Sequence, residues 1–267
     1  MTNPTVAYDL EFSAINQGVG WCFGAPPGLT AAQWPRSRVN GLPMAHLFTC
    51  TVPEEYRTKG PELVALALFQ ADDHVADEVA GVAEVLDGEA VPAATPFWQA
   101  LQAYAAARHP QECYGEDEIG GGWVWIWLTS AEFGGPATVP PDAAVGVFPG
   151  YDSADGTSAY VSAQPAEYLA LTARTNDPNV GKRPVGFYKN NPDAYIRLFS
   201  EQGQALGLDQ LFFGKNHFGG TSSPSQGEPD VSPLYLEFDE RLGGANLGGD
   251  GVAQLDLLSD KLVWACG

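Results

Sequence analysis

Of the four histidines in this chain, one stands where chemistry is easiest to imagine. His217 lies just before Gly219-Gly220, and a second glycine-rich turn, Gly248-Gly249-Asp250-Gly251, supplies a carboxylate. An imidazole base oriented by a carboxylate is the core of many acid–base and hydrolytic sites. Both residues fall in loops, where catalytic and binding groups concentrate. His217 and Asp250 are therefore the candidate catalytic pair, and hydrolysis is the reaction class they would serve. His74 sits between Asp72 and Asp77 and can pair with either, which a solvated loop explains more simply.

Other chemistry finds little footing. The run Asp152-Ser153-Ala154-Asp155-Gly156 misses the ligand spacing of a calcium loop and has no distal glutamate. Cys22, Cys50, Cys113 and Cys266 are far apart and form no CxxC pair, so neither zinc nor a redox motif is implied. Gly181-Lys182-Arg183 with Lys189 is the largest basic cluster, but its spacing is not that of a phosphate loop. No GxSxG, HExxH or GxGxxG pattern occurs. No cofactor or metal is implied, and the expectation is a protein that binds rather than catalyses.

Charge gives the stronger signal. The 267 residues carry 33 acidic against 13 basic side chains, a formal net charge of −20. Such a surface repels nucleic-acid phosphates and anionic membranes, and it attracts basic proteins. The carboxylates concentrate in two runs. One holds Asp72, Asp73, Asp77 and Glu78, the other Glu112, Glu116, Asp117 and Glu118. These eight residues are the candidate partner-binding face. An acidic surface also serves solubility alone, which is the plainer reading of charge by itself.

The elements that must position these groups read mostly as short strands, since 31 glycines and 21 prolines are spread along the chain. Strands are predicted over residues 5–13, 45–51, 63–70, 123–128, 143–148, 159–163, 168–174, 184–189 and 234–238, with a closing hairpin over 252–258 and 261–266. Residues 234–238 alternate apolar and polar side chains, the pattern of a strand with one buried face. The strand 123–128 sets three tryptophans on one face against Val124, Ile126 and Leu128 on the other, as expected for a strand covered on both sides. A tryptophan row can also stack sugars, but Trp is highly buried on average. Trp34 beside Arg36 and Arg38 is likewise a candidate binding lip or a packed loop. Thr95-Pro96 begins a helix with Phe97, Leu101, Tyr104 and Ala105 on one side. Asn191-Pro192 begins a second, with Tyr195, Leu198, Phe199 and Gln202 on one face. The fold class is α+β: mostly antiparallel sheet, two or three peripheral helices, and one domain over 1–267 with possible pseudo-repeated halves near 1–130 and 131–267.

The C-terminal features together resemble the YwqG-like family of bacterial proteins. They are Phe218-Gly219-Gly220 with Pro224, the 234–238 strand, Gly249-Asp250-Gly251 and Trp264-Ala265-Cys266. A weaker echo runs from Phe23-Gly24-Ala25-Pro26 to Phe48. The chain departs from the family pattern in the displaced proline and in lacking the glutamine usually found inside the strand. The resemblance implies an immunity protein that binds and neutralises a cognate toxin, a nuclease effector of type VI secretion being the leading kind. Its partner would present a basic surface, with no nucleic acid or membrane involved. The first residues show no basic region followed by an apolar one, and no run is long enough to span a membrane, so the expected location is the cytoplasm. Two other readings stand beside this one: a hydrolase built on His217 and Asp250, and a ligand-binding scaffold using the tryptophans.

Overall fold

The computed structural model describes residues 3–71, 73, 76–92, 94–139, 141 and 166–267. The predicted strands over 143–148 and 159–163, the 152–156 run, Asp72 and His74 lie outside the described residues. The chain is α+β, with mostly antiparallel strands and few, short helices. It forms two compact units interleaved in sequence, one made of residues 1–20, 51–61 and 168–267, the other of 21–50 and 62–167.

In the first unit the strand order is β11-β10-β9-β8-β1-β7. β1 (Tyr8–Ser13) pairs with β7 (Glu167–Ala173), and Leu10 faces Leu171. β8 (His217–Phe218) joins β1 to β9 (Tyr235–Asp239), which carries β10 (Val252–Asp256) and β11 (Lys261–Ala265) as the predicted closing hairpin. β9 departs from its alternation: Tyr235 and Glu237 are buried along with Leu236 and Phe238. The strand is covered on both faces, so its glutamate is an interior residue.

Two predicted elements of this unit are absent. Residues 184–189 form a turn closed by Lys189 N–H donating to Gly186 O, not a strand. No helix starts at Asn191, because side chains satisfy the backbone first. Asn191 bonds both Tyr195 N–H and Tyr195 O, and Asn179 does the same for Ile196. Asparagine competes with helix in this way whenever its amide can reach nearby backbone. The helical part is later and shorter. We label Glu201–Ala205 α4, capped by Ser200 accepting from Gly203 N–H, and Leu208–Phe212 α5.

The second unit has strands in the order β2-β3-β4-β6-β5, with β2 at Gly20–Cys22. β3 (Ala45–Thr51), β4 (Leu63–Ala71) and β6 (Gly122–Thr129) are buried almost throughout. Val124, Ile126 and Leu128 pack with Trp34, Met44, Ala65, Ala67 and Phe69. Trp123, Trp125 and Trp127 on the opposite face are equally buried. Trp34 lies inside too, its Nε1 donating to Met44 O at 2.9 Å. β5 (Glu112–Glu116) occupies what the sequence shows only as an acidic run. A small helix α1 (Val82–Leu86) packs on α2 (Pro96–Ala107), where Phe97, Trp98, Leu101 and Tyr104 form one apolar cluster with α1. Thr95 stands at the predicted N-cap position, but its side chain makes no capping bond. α3 (Ser130–Phe133) has the full reciprocal cap between Thr129 and Glu132.

Candidate functional site

His217 is fully buried, and the acid that meets it is Glu237 rather than Asp250. The two residues are opposite one another in the β8–β9 register. His217 Nδ1 donates to Gly219 O at 2.7 Å, and Nε2 lies 2.9 Å from Glu237 Oε1. The carboxylate also accepts from Ser222 Oγ at 2.5 Å, Ser223 N–H at 2.7 Å and Gln254 Nε2 at 3.0 Å. Burial pushes Glu237 up, but the His217 charge and these hydrogen bonds outweigh it and hold the carboxyl below its ordinary value.

Histidine, serine and carboxylate thus meet in one place, yet in the wrong order for a nucleophilic site. A serine nucleophile needs an imidazole lone pair to take its proton. Here both ring nitrogens face acceptors, and the Ser222 hydroxyl donates to the carboxylate. The arrangement clamps the Gly219-Gly220-Thr221-Ser222-Ser223 loop.

A second clamp holds the same loop. Asp177 accepts from Thr221 N–H at 2.8 Å and Thr221 Oγ1 at 2.7 Å. Arg174, with a wholly buried side chain, joins Asp177 at 3.2 Å, Asp9 at 2.6 Å and Thr221 O at 3.1 Å, and its guanidinium lies 4.7 Å from the Phe212 ring centre. Gly220 is required here: its φ is +80°, and a Cβ would stand 2.4 Å from Asp177 Oδ2. Glu237, Arg174 and Asp177 were not singled out by sequence reasoning. The one legible signal, for Glu237 and Arg174, is a charged residue inside or just past a strand, and Asp177 gives none.

Asp250 lies in an exposed turn and has another use. Glu240 accepts from the backbone N–H groups of Leu247, Gly249 and Asp250, which fixes the turn. Asp250 has φ of +54°, a left-handed conformation that Asp and Asn tolerate better than other side chains. Its carboxylate has no hydrogen-bond or ion-pair partner among the described residues. It lines an open cleft of about 570 Å³ together with Phe199, Phe213, Ser225, Asp239 and Arg241. Arg241 is tied to Asp239, with Nε 2.8 Å from Oδ2, and to Gly214 O at 3.0 Å.

The acidic residues proposed for partner binding lie in the second unit, and strand register relates the two runs. Ala71 at the end of β4 is opposite Gly122, and Gly122 is opposite Glu116. Asp73 and the Glu116-Asp117-Glu118 segment therefore reach the same end of the sheet. Their environments differ. Asp73 is buried and accepts from Ser37 Oγ. Asp117 holds the β5–β6 turn, accepting from Ile119 N–H, Gly121 N–H and Trp123 Nε1. Glu112 is bound by Tyr104 Oη at 2.7 Å and, chiefly through burial, is raised above its ordinary value. Asp77, Glu78, Glu116 and Glu118 are exposed. Arg38 lies over the Tyr114 ring at 5.6 Å, while Tyr114 Oη donates to Glu116.

Among the described residues no group of three or more His, Cys, Asp or Glu is placed to hold a metal ion, and no helix is long and apolar enough to cross a membrane. No family model, curated protein or solved structure matches the chain.

Proposed function

We propose that this protein binds a basic protein partner and neutralises it, acting in the cytoplasm as an immunity protein. The observation that carries the reading is that strand register brings Asp73, of the first acidic run, to the same sheet end as Glu116-Asp117-Glu118, while Asp77, Glu78, Glu116 and Glu118 are exposed. Asp77, Glu78 and Glu118 accept no hydrogen bond and form no ion pair among the described residues, so they are available to a partner. Steering between opposite charges speeds encounter and favours the right partner over wrong ones.

The likeness of the C-terminal loops to YwqG-like proteins supports a toxin as the partner. A nuclease is the favoured kind, because a nuclease must present lysine and arginine to phosphates. A type VI secretion effector is the delivery route that the likeness suggests. Binding tight enough to protect a cell corresponds to nanomolar or better, about −12 kcal/mol.

The test is capture of the partner on the tagged protein from cells expressing the neighbouring genes, at low and high salt. The same capture is repeated with Asp77, Glu78, Glu116 and Glu118 all changed to Lys. A stoichiometric basic partner whose toxicity the protein suppresses, lost on charge reversal, supports the reading. A partner retained by the reversed variant moves the interface elsewhere. Failure of the protein to protect against any toxin encoded beside it overturns immunity.

A further inference from the structure

The 198–214 segment sorts its large side chains sharply. Leu198, Leu208 and Phe212 form a buried cluster beneath α4 and α5. Their sequence neighbours Phe199 and Phe213 point out, 56% and 63% exposed, with ring centres 5.7 Å apart in edge-to-face contact. Two phenyl rings packed edge to face at the wall of a cleft present apolar surface outside the core, where a ligand can reach it. The same cleft is lined by Asp250, whose carboxylate has no partner among the described residues, and by Arg241, which is already held by Asp239.

We infer that this cleft receives a cationic side chain, arginine or lysine, projecting from a basic protein partner. The rings supply a face for the cation and for the aliphatic stem, and the carboxylate supplies the counter-charge. Charge complementarity selects this occupant, since the chain is at −20 overall and the Asp250 carboxylate at the cleft has no partner among the described residues. A volume of about 570 Å³ lies within the roughly 300–1,000 Å³ typical of ligand sites. It admits the side chain with part of its backbone. The inference rests on the proposed basic partner for the nature of the occupant, but it assigns a site distinct from the acidic sheet end.

The experiment uses capped arginine, N-acetyl-arginine methylamide, as the probe, with the uncharged capped citrulline as its control, followed by amide chemical shifts of the whole protein. Saturable shifts at residues 213–214 and 249–252 with arginine and not citrulline are expected. Asp250→Asn weakens that binding by about fivefold or more, and Phe199→Ala with Phe213→Ala does so comparably, in the range of a cation–π contact plus a charge. Asn keeps the left-handed turn, so the first variant reads charge alone. Glu84→Gln with Glu89→Gln, a larger change of net charge at exposed residues outside both proposed sites, leaves cleft binding unchanged.

Unaltered affinity in Asp250→Asn overturns the inference, as does the lack of saturable shifts at the cleft. Shifts centred on residues 116–118 instead overturn it while leaving the basic-partner reading intact. Cleft shifts that appear on raising protein concentration without arginine identify a second copy as the occupant and also overturn it. The toxin-protection assay judges the partner reading separately, whatever the cleft does.

Discussion

His217 Nε2 lies 2.9 Å from Glu237 Oε1 with both side chains essentially removed from water. A buried pair of this kind is a poor target for single truncation, because the survivor keeps the cost of desolvation without its partner. His217→Ala is expected to destabilise the protein by about 3–5 kcal/mol, with the Gly219-Gly220 loop loosened. Denaturant unfolding of the purified variant checks this. A catalytic histidine would behave oppositely, with stability kept and an activity lost.

The same carboxylate sets an acid limit. Glu237 is held below its ordinary value in the folded state. A depressed carboxyl contributes stability above its unfolded value, and that contribution is lost as pH falls through the folded one. Stability should therefore decline in acid, below about pH 4.5 where unfolded glutamates begin to protonate. Glu237→Gln should flatten that part of the pH profile and lower stability near neutrality. Thermal melts of both proteins across the acid range measure the difference.

Glu228 gives the reverse sign. Burial, with the Glu237 charge adding to it, pushes its carboxyl up from 4.5 to about 8 against the opposing pull of Arg197 and Tyr195. A raised group contributes fully below its unfolded value and loses that contribution as pH rises through the folded one. Glu228 should thus make the protein less stable between about pH 4.5 and 8. Glu228→Gln keeps a hydrogen-bonding side chain and removes the titration. Its melting temperature should exceed that of the parent by a margin that grows from pH 5 to pH 8, and a constant margin would refute the assignment.

The sheet was largely legible from residue order because its strands carry their own signal. The 45–51, 63–70, 123–128, 168–174 and 252–266 predictions correspond to β3, β4, β6, β7 and the β10–β11 hairpin. The failures share a physical cause, which is that side-chain hydrogen bonds, both local and from residues distant in sequence, override the local pattern. Asn179 and Asn191 take the backbone bonds that a helix from residue 191 would need. Glu237 alternates as a solvent-facing residue should, yet His217, Ser222, Ser223 and Gln254 surround it. For the same reason His217 and Asp250 looked like a pair in two glycine-rich loops, although the register gives His217 a different acid. Strand register also brings Asp73 towards Glu116, a relation no spacing along the chain could reveal. The cleft was hidden because Phe199 reads as part of the apolar face of a helix from Asn191, whereas it is exposed beside Phe213.

The glycine-rich turn at Asp250 separates support from recognition, and two adjacent substitutions should show it. Gly251 has no room for a side chain: a Cβ there would stand 2.2 Å from Leu247 O and 2.4 Å from Leu247 Cβ. Gly251→Ala must move backbone in a turn that Glu240 fastens at three amides, and should cost about 1–3 kcal/mol. Asp250→Asn removes only a carboxylate that the described chain does not use, at a φ that Asn accepts. Its effect on unfolding free energy should stay within about 0.5 kcal/mol, or favour the folded state slightly by relieving negative charge. Paired urea titrations decide the matter. A large loss in Asp250→Asn would mean that the carboxylate holds the turn together, and the cleft would then have no free charge to offer.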